Sequence, residues 1–528
     1  MPKRKPPITA AKERRDLALI NAEISQAELN ALKNERYKLY LNDNLRNTRK
    51  RRPGYSIPGN PERDMSATDR QTGMSKARQK CMESPLVMGM VQTLVDNIVG
   101  CGFKLNMKTG NDVYDKEVEG RWELRKDKLD IRGMRPWFKL QRMWQFRKTI
   151  DGDVGVHLVD GGIAEASEAE MQVGTDGESY TLSYLQTIEA DRIYKETTAT
   201  DEGVEFDANG RPTKYFVSKR AKADIELGSS KDGNKPQTIP ASQFILYANY
   251  PHERAERKRG ISMLLQNLNI FEDLEEILDA MCQKVKNEAF MGIKFKTEIG
   301  PDGSLFGTEA TSDKTAEDGV TRKTVKMVPG LNLNLSPGED ADVMESKSPP
   351  GEFIAFYRMM LRYAGTRFGL PLEMMLFDFA DTNYSGGRAL LELAKKRFKV
   401  EQEEMKGLCD RIFHWWLARE IKYNGLIVPG DVRGWHWTHR WGMPGWPYLD
   451  PVKSATANTI DLANATTSRT RILDDEGYGD FEELVETLRK EQDMLNAAGI
   501  AVSIGQPGQK ISGDQQDKDE DVEDEGEA

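Results

Sequence analysis

The sequence predicts an α+β protein of several packed units, and three observations predict it. Its 528 residues exceed the roughly 250 to 300 at which a single core stops growing. Residues 137–250 alternate short apolar runs with Asp-Gly and Asn-Gly turns, the pattern of a sheet. Beyond them, apolar stripes at helical spacing occupy 261–290, 352–368 and 388–422.

The net charge of −10 is unevenly spread: residues 1–52 carry fourteen Lys/Arg against six Asp/Glu, and residues 511–528 carry nine acids against one Lys. The two ends cancel, so the body is itself acidic. A protein that grips DNA by counterion release is usually basic across its body. Any DNA contact here is therefore expected to be local or weak. No apolar run approaches the ~20 residues that span a bilayer, and Met1–Lys12 lacks the apolar stretch of a secretory signal. No membrane partner and no secretion are expected. Cys81, Cys101, Cys282 and Cys409 are far apart, without a Cys-x-x-Cys pair, and read as buried thiols of a reducing cytoplasm.

Residues 9–41 read as a helix, closed by the basic run Arg46–Arg52 and a Pro/Gly/Ser-rich linker to Pro61. Thr68–Val99 reads as a second helix, in which Met88, Val91, Leu94, Val95 and Ile98 follow a helical period until Gly100. Strands are expected at Gly155–Val159, Tyr180–Ile188, Thr213–Ser218 and Phe244–Tyr250. Ile261–Phe290 reads as one amphipathic helix, about 40 Å long at ~1.5 Å per residue. Residues 291–350 form a distinct insertion, with β-like ends at Gly292–Thr297 and Thr324–Leu335 and a polar centre, Gly300–Asp318. A helix over Glu352–Phe368, an irregular stretch from Gly369 to Gly387, and a long helix over Arg388–Lys422 follow. Six tryptophans lie within Trp415–Trp446, and the last helical pieces are Pro451–Leu473 and Asp480–Ala497, the latter with Asp480 and Glu483 as a capping box.

Four blocks carry a family resemblance: Val91–Leu105 (VQTLVDNIVGCGFKL), Ile150–Asp160 (IDGDVGVHLVD), Tyr250–Leu264 (YPHERAERKRGISML) and Asp381–Phe398 (DTNYSGGRALLELAKKRF). In this order they resemble the lambda-type portal proteins of tailed bacteriophages, over residues ~60 to 500. The resemblance implies the portal fold: a basic helical arm and linker (1–60), an α/β wing (61–260), a first stem helix (261–290), a small β clip (291–350) and a second stem helix (351–370). There follow a channel loop (371–387), a long wing helix with an aromatic segment (388–452), a helical crown (453–500) and a disordered acidic tail (501–528).

The same resemblance implies a cyclic homo-oligomer, usually of twelve subunits, at the capsid vertex of the virion, assembled in the host cytoplasm. Double-stranded DNA would enter and leave through its channel. The partners implied are the large terminase subunit, head-tail connector proteins, and the major capsid and scaffold proteins. No cofactor is implied, and the insertion 291–350 is expected to be a separate docking module.

A DNA channel has to let the duplex slide. On the first stem helix Glu272, Glu275, Glu276 and Asp279 share the face opposite the apolar stripe, and such a face repeated round a ring repels phosphate. On the second, Arg358 and Arg362 lie one turn apart and Arg367 follows, a basic counterpart to pair with those acids or touch DNA; an ordinary solvated helix face is the alternative. The channel-loop candidates are Phe377, Asp378, Asp381, Asn383 and Tyr384, ahead of the Gly386-Gly387 pair, whose conformational freedom suits a hinge. The same stretch also reads as a plain connection with Asp381 or Thr382 capping the next helix.

No catalytic residue and no metal site are expected. There is no Gly-x-x-x-x-Gly-Lys-Ser/Thr loop for ATP and no Gly-x-Ser-x-Gly elbow. His436, His439 and Asp431 have a spacing that suits a metal, but they sit among Trp435, Trp437 and Trp441, which reads as aromatic packing. Asp151-Gly152-Asp153 resembles the start of a calcium loop, yet position twelve is Gly162 rather than Glu, so it reads as a turn. Glu403 and Glu404 are adjacent and diverge on a helix, which weakens a hydrolase acting on DNA or glycans. Another structural phage head or connector protein is the remaining alternative.

Overall fold

The computed structural model describes residues 65–165, 179–195, 202–219, 236–250, 256–290, 293–297, 313–315, 321–323, 339–343, 351–379, 383–446, 451–476 and 481–497. The helix expected over 9–41, the basic run, the acidic tail, the strand expected over 324–335, Asp381 and the capping residue Asp480 lie outside the described residues. By contacts the chain divides into two compact units, Asn267–Thr366 and the remainder.

In the larger unit the helix expected over 68–99 is two helices, α1 (Ala67–Glu83) and α2 (Pro85–Ile98). Pro85 cannot donate to the preceding turn, and Ser84 goes extended and accepts from the Val87 N–H as the cap of α2. After β1 (Lys104–Met107) and α3 (Asp112–Arg125) comes α4 (Trp137–Asp151). It leads straight into β2 (Asp153–Glu165), the centre of an antiparallel sheet ordered β3–β2–β7, with β3 at Ser179–Glu189 and β7 at Phe244–Ala248. Residues 153–158 of β2 are all buried, because helices and flanking strands cover both faces; farther out exposure sets in.

A second sheet joins β4 (Val204–Phe206), β5 (Pro212–Val217) and β6 (Gln237–Pro240). Its Tyr215 stacks on Phe244 of the first sheet at 4.3 Å between ring centroids.

Asp151-Gly152-Asp153 is the junction between α4 and β2. Gly152 closes the helix at φ 94°, which a side chain would resist. The two carboxylates face different guanidinium groups: Asp151 takes a bidentate pair from Arg78 at 2.7 and 2.8 Å, and Asp153 takes one from Arg259 at 2.7 and 2.8 Å. Arg259 spends its remaining donors on the carbonyls of Ala190, Ile193 and Glu202, at 2.9 to 3.0 Å. The next residue, Gly260, donates its N–H to Asp153 and lies so close to the chain that a Cβ there would sit 2.0 Å from the Gly152 carbonyl oxygen. Two of the four sequence blocks are thus locked to each other through one buried ion pair.

This lock explains a difference from the expected stem helix. Residues 261–267 are not helical: Ile261 N–H donates to Asn249 and Met263 N–H to Thr149, so their backbone is committed to the sheet domain. The helix α5 begins only at Leu268 and runs to Phe290.

In the smaller unit α5 contacts α6 (Gly351–Gly365), and the Asn267 side-chain amide donates to the Ala364 carbonyl at 2.6 Å. Between them β8 (Ile293–Thr297) pairs antiparallel with β11 (Glu339–Val343), and β9 (Asp313–Thr315) with β10 (Thr321–Lys323). The partner of the first strand is thus 339–343.

Back in the larger unit come α7 (Leu372–Leu376) and the long α8 (Tyr384–Tyr423). The inner face of α8 brings Phe413 and Trp416 against Trp122, with edge-on centroid distances of 5.8 and 5.0 Å. Trp137 joins at 5.2 Å, and Trp441 stacks on Trp137 at 6.2 Å. Trp441 reaches this core on β12 (His439–Gly442), which pairs antiparallel with β1. The helices α9 (Pro451–Ala463), α10 (Arg469–Glu476) and α11 (Phe481–Ala497) complete the described residues; residues 464–468 separate the first two where one helix was expected. Cys81 and Cys409 are buried, whereas Cys101 and Cys282 are exposed, contrary to the expectation of four buried thiols. Among the described residues no helix is long and apolar enough to cross a membrane.

Candidate functional site

The acidic residues of α5 divide by their surroundings. Glu272, Glu276 and Asp279 are exposed, whereas Glu275 is half-buried on the side facing α6. Burial, and then the Glu275 carboxylate, raise the Tyr357 phenol above its ordinary value. An open acidic face therefore belongs to three of the four carboxylates. On α6 Arg358 is half-buried and Arg362 exposed. All six lie within the smaller unit.

The two helices also leave large apolar side chains in solvent: Leu278 and Val285 on α5, and Ile354, Phe356, Met359 and Tyr363 on α6. Among the described residues nothing in the unit buries them, and it is Leu361 and Ala364 that take the buried face of α6.

The loop candidates lie in the larger unit, around the end of α7. Phe377 closes that helix in the left-handed region at φ 54°, where its N–H reaches the Glu373 carbonyl. Phe377 is 77% exposed, and Asp378 and Phe379 are exposed beside it. A left-handed backbone at a bulky non-glycine residue costs on the order of 1 to 2 kcal/mol, and Phe377 recovers none of it by burial.

Two expectations for this stretch are corrected. Asn383, not Asp381 or Thr382, caps α8, its Oδ1 accepting from the Gly386 N–H at 2.7 Å. Tyr384, Gly386 and Gly387 are the first turn of that helix; a Cβ on Gly386 would lie 2.8 Å from the capping oxygen. These glycines serve cap geometry rather than a hinge. The Tyr384 side chain, like Asp381, is outside what the structure describes.

We expect Phe377→Ala to change unfolding stability by less than about 0.5 kcal/mol, read by chemical denaturation. A loss of 3 kcal/mol or more, the cost of truncating a core aromatic, would make the segment part of the core.

Of the groups set aside as catalytic or metal candidates, His439, Asp431, Glu403 and Glu404 have local partners, whereas His436 Nδ1 is buried without a hydrogen bond among the described residues. His439 shares one ring nitrogen with Asp410 at 3.0 Å and the other with the Trp437 carbonyl at 2.7 Å. Trp441 donates to the same Asp410 oxygen at 2.7 Å, and although burial opposes it, these bonds hold the Asp410 carboxyl below its usual range. Burial, then the neighbouring His439, lower His414, and burial lowers His436. Asp431 accepts from Asn111 at 2.9 Å. Trp441 is buried in the aromatic core, but Trp435 and Trp437 are about half exposed. Glu404 pairs with Lys148 and Glu403 with Lys406. Among the described residues no cluster of His, Cys, Asp and Glu could hold a metal ion.

A sheet domain is thus joined in sequence to a helix-hairpin unit whose two helices carry apolar side chains left exposed among the described residues. The chain belongs to the lambda family of phage portal proteins, whose family model matches residues 49–402. A comparison with curated proteins returned no match. Among solved structures it is similar to a chain in the virion of a native gene transfer agent particle, with TM-score 0.39 and 13% identity over 80% of this chain and 95% of that one. It is also similar to chains in the neck of the empty particle computed with C6 symmetry (TM-score 0.38, 14% identity, covering 81% and 97%) and in the neck of the native particle computed with C12 symmetry (TM-score 0.38, 13% identity, covering 76% and 92%).

Proposed function

We propose that the chain is one subunit of a closed portal ring at a capsid vertex of a tailed phage, the passage through which double-stranded DNA is packaged and ejected. Membership of the portal family carries the reading. The exposed apolar residues of α5 and α6 support it physically: a surface of that kind needs neighbours, and heterologous contacts that close give cyclic symmetry. Twelve subunits is the number proposed.

In this reading residues 291–350 are the clip that docks the large terminase subunit and then head-tail connector proteins, while major capsid and scaffold proteins surround the wing. The exposed Glu272, Glu276 and Asp279, repeated round the ring, disfavour phosphate binding and leave the duplex free to slide. Asp378 does the same at the loop, and Phe377 makes passing contacts with DNA. The portal family is a structural one, and the chemistry of packaging falls to a separate motor.

Native mass spectrometry of the full chain tests this, with a large closed ring expected and only monomers or dimers overturning it. Phe356→Asp with Met359→Asp is expected to abolish the ring. Subunit stability should change by no more than about 0.5 kcal/mol per substitution, since both side chains are exposed. Rings that survive the double substitution would put the subunit contact elsewhere.

A further inference from the structure

In the sheet domain a cleft of about 690 Å³ opens between α2, α4 and the β3 edge, a size that suits an extended peptide or a small ligand. Six cationic residues line it: Arg132, Arg135, Arg142, Arg147, Arg192 and Lys219. Two of these are matched, Arg142 by Asp96 and Arg147 by Asp151 and Glu189. The acids of the lining are also committed. Glu189 and Asp191 pair with Arg78, and Asp130 accepts from the backbone N–H groups of Arg132, Met134 and Arg135. Among the described residues Arg132, Arg135, Arg192 and Lys219 have no carboxylate partner; Arg192 donates only to the Ser218 carbonyl, at 2.9 Å.

The loop that bears Arg132 and Arg135 is held by more than its Asp130 cap: Ile131 N–H donates to the Leu185 carbonyl at 3.2 Å. The positive rim is therefore preorganised. Beside it the cleft is apolar, with Val95, Met143 and Phe146 in the lining. Its occupant should thus be an anionic segment with an apolar residue inside it.

The chain contains such a segment. In Asp519-Glu520-Asp521-Val522-Glu523-Asp524-Glu525 three acids stand on each side of one valine. We propose that this cleft binds the chain's own acidic C-terminal segment, Asp519–Glu525, with the acids on the Arg132, Arg135, Arg192 and Lys219 rim and Val522 against the apolar lining.

Reach does not restrict this. Twenty-one residues lie between Ala497, the end of α11, and Asp519, and an extended chain of that length spans about 70 Å, against a radius of gyration of about 22 Å for a compact body of this size. Charge selects the C-terminal segment over the N-terminal arm, whose fourteen Lys/Arg against six acids would be repelled. Shape selects it over duplex DNA, a rigid rod that would meet the rim and leave the apolar lining empty.

The test uses the full chain. Carbodiimide coupling followed by peptide mass spectrometry should join the Lys219 amine to carboxylates within 519–525. That yield should fall at least about tenfold between about 0.05 and 0.5 M salt, as screened charges require, and as far in Arg132→Gln/Arg135→Gln. A second variant leaves the cleft untouched: neutralising the six acids of 519–525 to Asn and Gln should speed amide exchange at 130–135 several-fold. Lys219 products that lack 519–525, or exchange at 130–135 indifferent to the tail charge, overturn the proposal. It also falls if added duplex DNA protects the loop while the tail substitutions do not alter it, for the cleft would then be a nucleic-acid surface.

Discussion

Replacing Arg259 by Leu is expected to destabilise the sheet domain by about 3 to 5 kcal/mol, the cost of leaving one partner of a buried ion pair without the other. The guanidinium is 1% exposed and Asp153 fully buried. Burial alone would lower Arg259 and raise Asp153; the mutual pairing outweighs it, holding the guanidinium above and the carboxyl below their ordinary values. Leu removes both bonds to Asp153 and also strands the carbonyls of Ala190, Ile193 and Glu202. Arg259→Lys keeps the charge but has no planar fork for Asp153, so it should recover less than half of the loss. The measurement is chemical denaturation with amide exchange at β2 and β7 as the local probe. Retention of wild-type exchange in Arg259→Leu would show that the pair is dispensable.

That pair also shows what was legible in the sequence. Asp153 and Arg259 both stand within blocks that carried the family resemblance, yet no periodicity says that residues 106 apart in the chain will meet. Local signals served well where the chemistry was local. Alternation located the strands of the central sheet, and the period of 3.6 located α5, α6 and α8.

Helix ends were harder, because tertiary bonds decide them. Ser84-Pro85 was a readable cap and Pro at a first helical position, and it was overrun by the apolar period on either side. Residues 261–267 keep the apolar spacing of a helix, but the N–H groups of Ile261 and Met263 go to Asn249 and Thr149. The pairing of β1 with β12 joins Lys104 to Gly442 and leaves no local trace. At the candidate loop the sequence offered the residue types, while the exposure of Phe377 and the capping role of Asn383 needed coordinates. The basic cleft was missed for a similar reason: Arg132 and Arg135 are close in sequence, but Arg192 and Lys219 join them only through the sheet.

The second large effect is expected at Lys148, where α4 meets α8. Its amine is 1% exposed and donates to Glu401, also 1% exposed, at 2.8 Å. It pairs with Glu404 as well and lies 3.3 Å from the Tyr247 hydroxyl, which in turn donates to Gln145 at 2.7 Å. Lys148→Met keeps the stem but leaves Glu401 with only Arg397 and Gln145, and at pH 7 should cost about 3 to 5 kcal/mol. Lys148→Met/Glu401→Leu should restore more than half of that, because an apolar pair of similar volume carries no desolvation penalty.

The pH dependence separates this account from a simple packing defect. In the wild type burial would raise Glu401, but Lys148 and then Arg397 hold its carboxyl below the ordinary value. The pair's contribution is therefore complete above the unfolded-state value of about 4.3 and is lost as pH falls through the lower folded value. Removing the amine lets burial dominate and pushes the same carboxyl up, so the variant gains relative stability as acid neutralises it. The difference between wild type and Lys148→Met should thus shrink steadily from about pH 6 downward, read as denaturation midpoints across that range. A difference that stays constant from pH 7 to pH 4 would assign the loss to packing around the Lys148 stem and not to the buried charge.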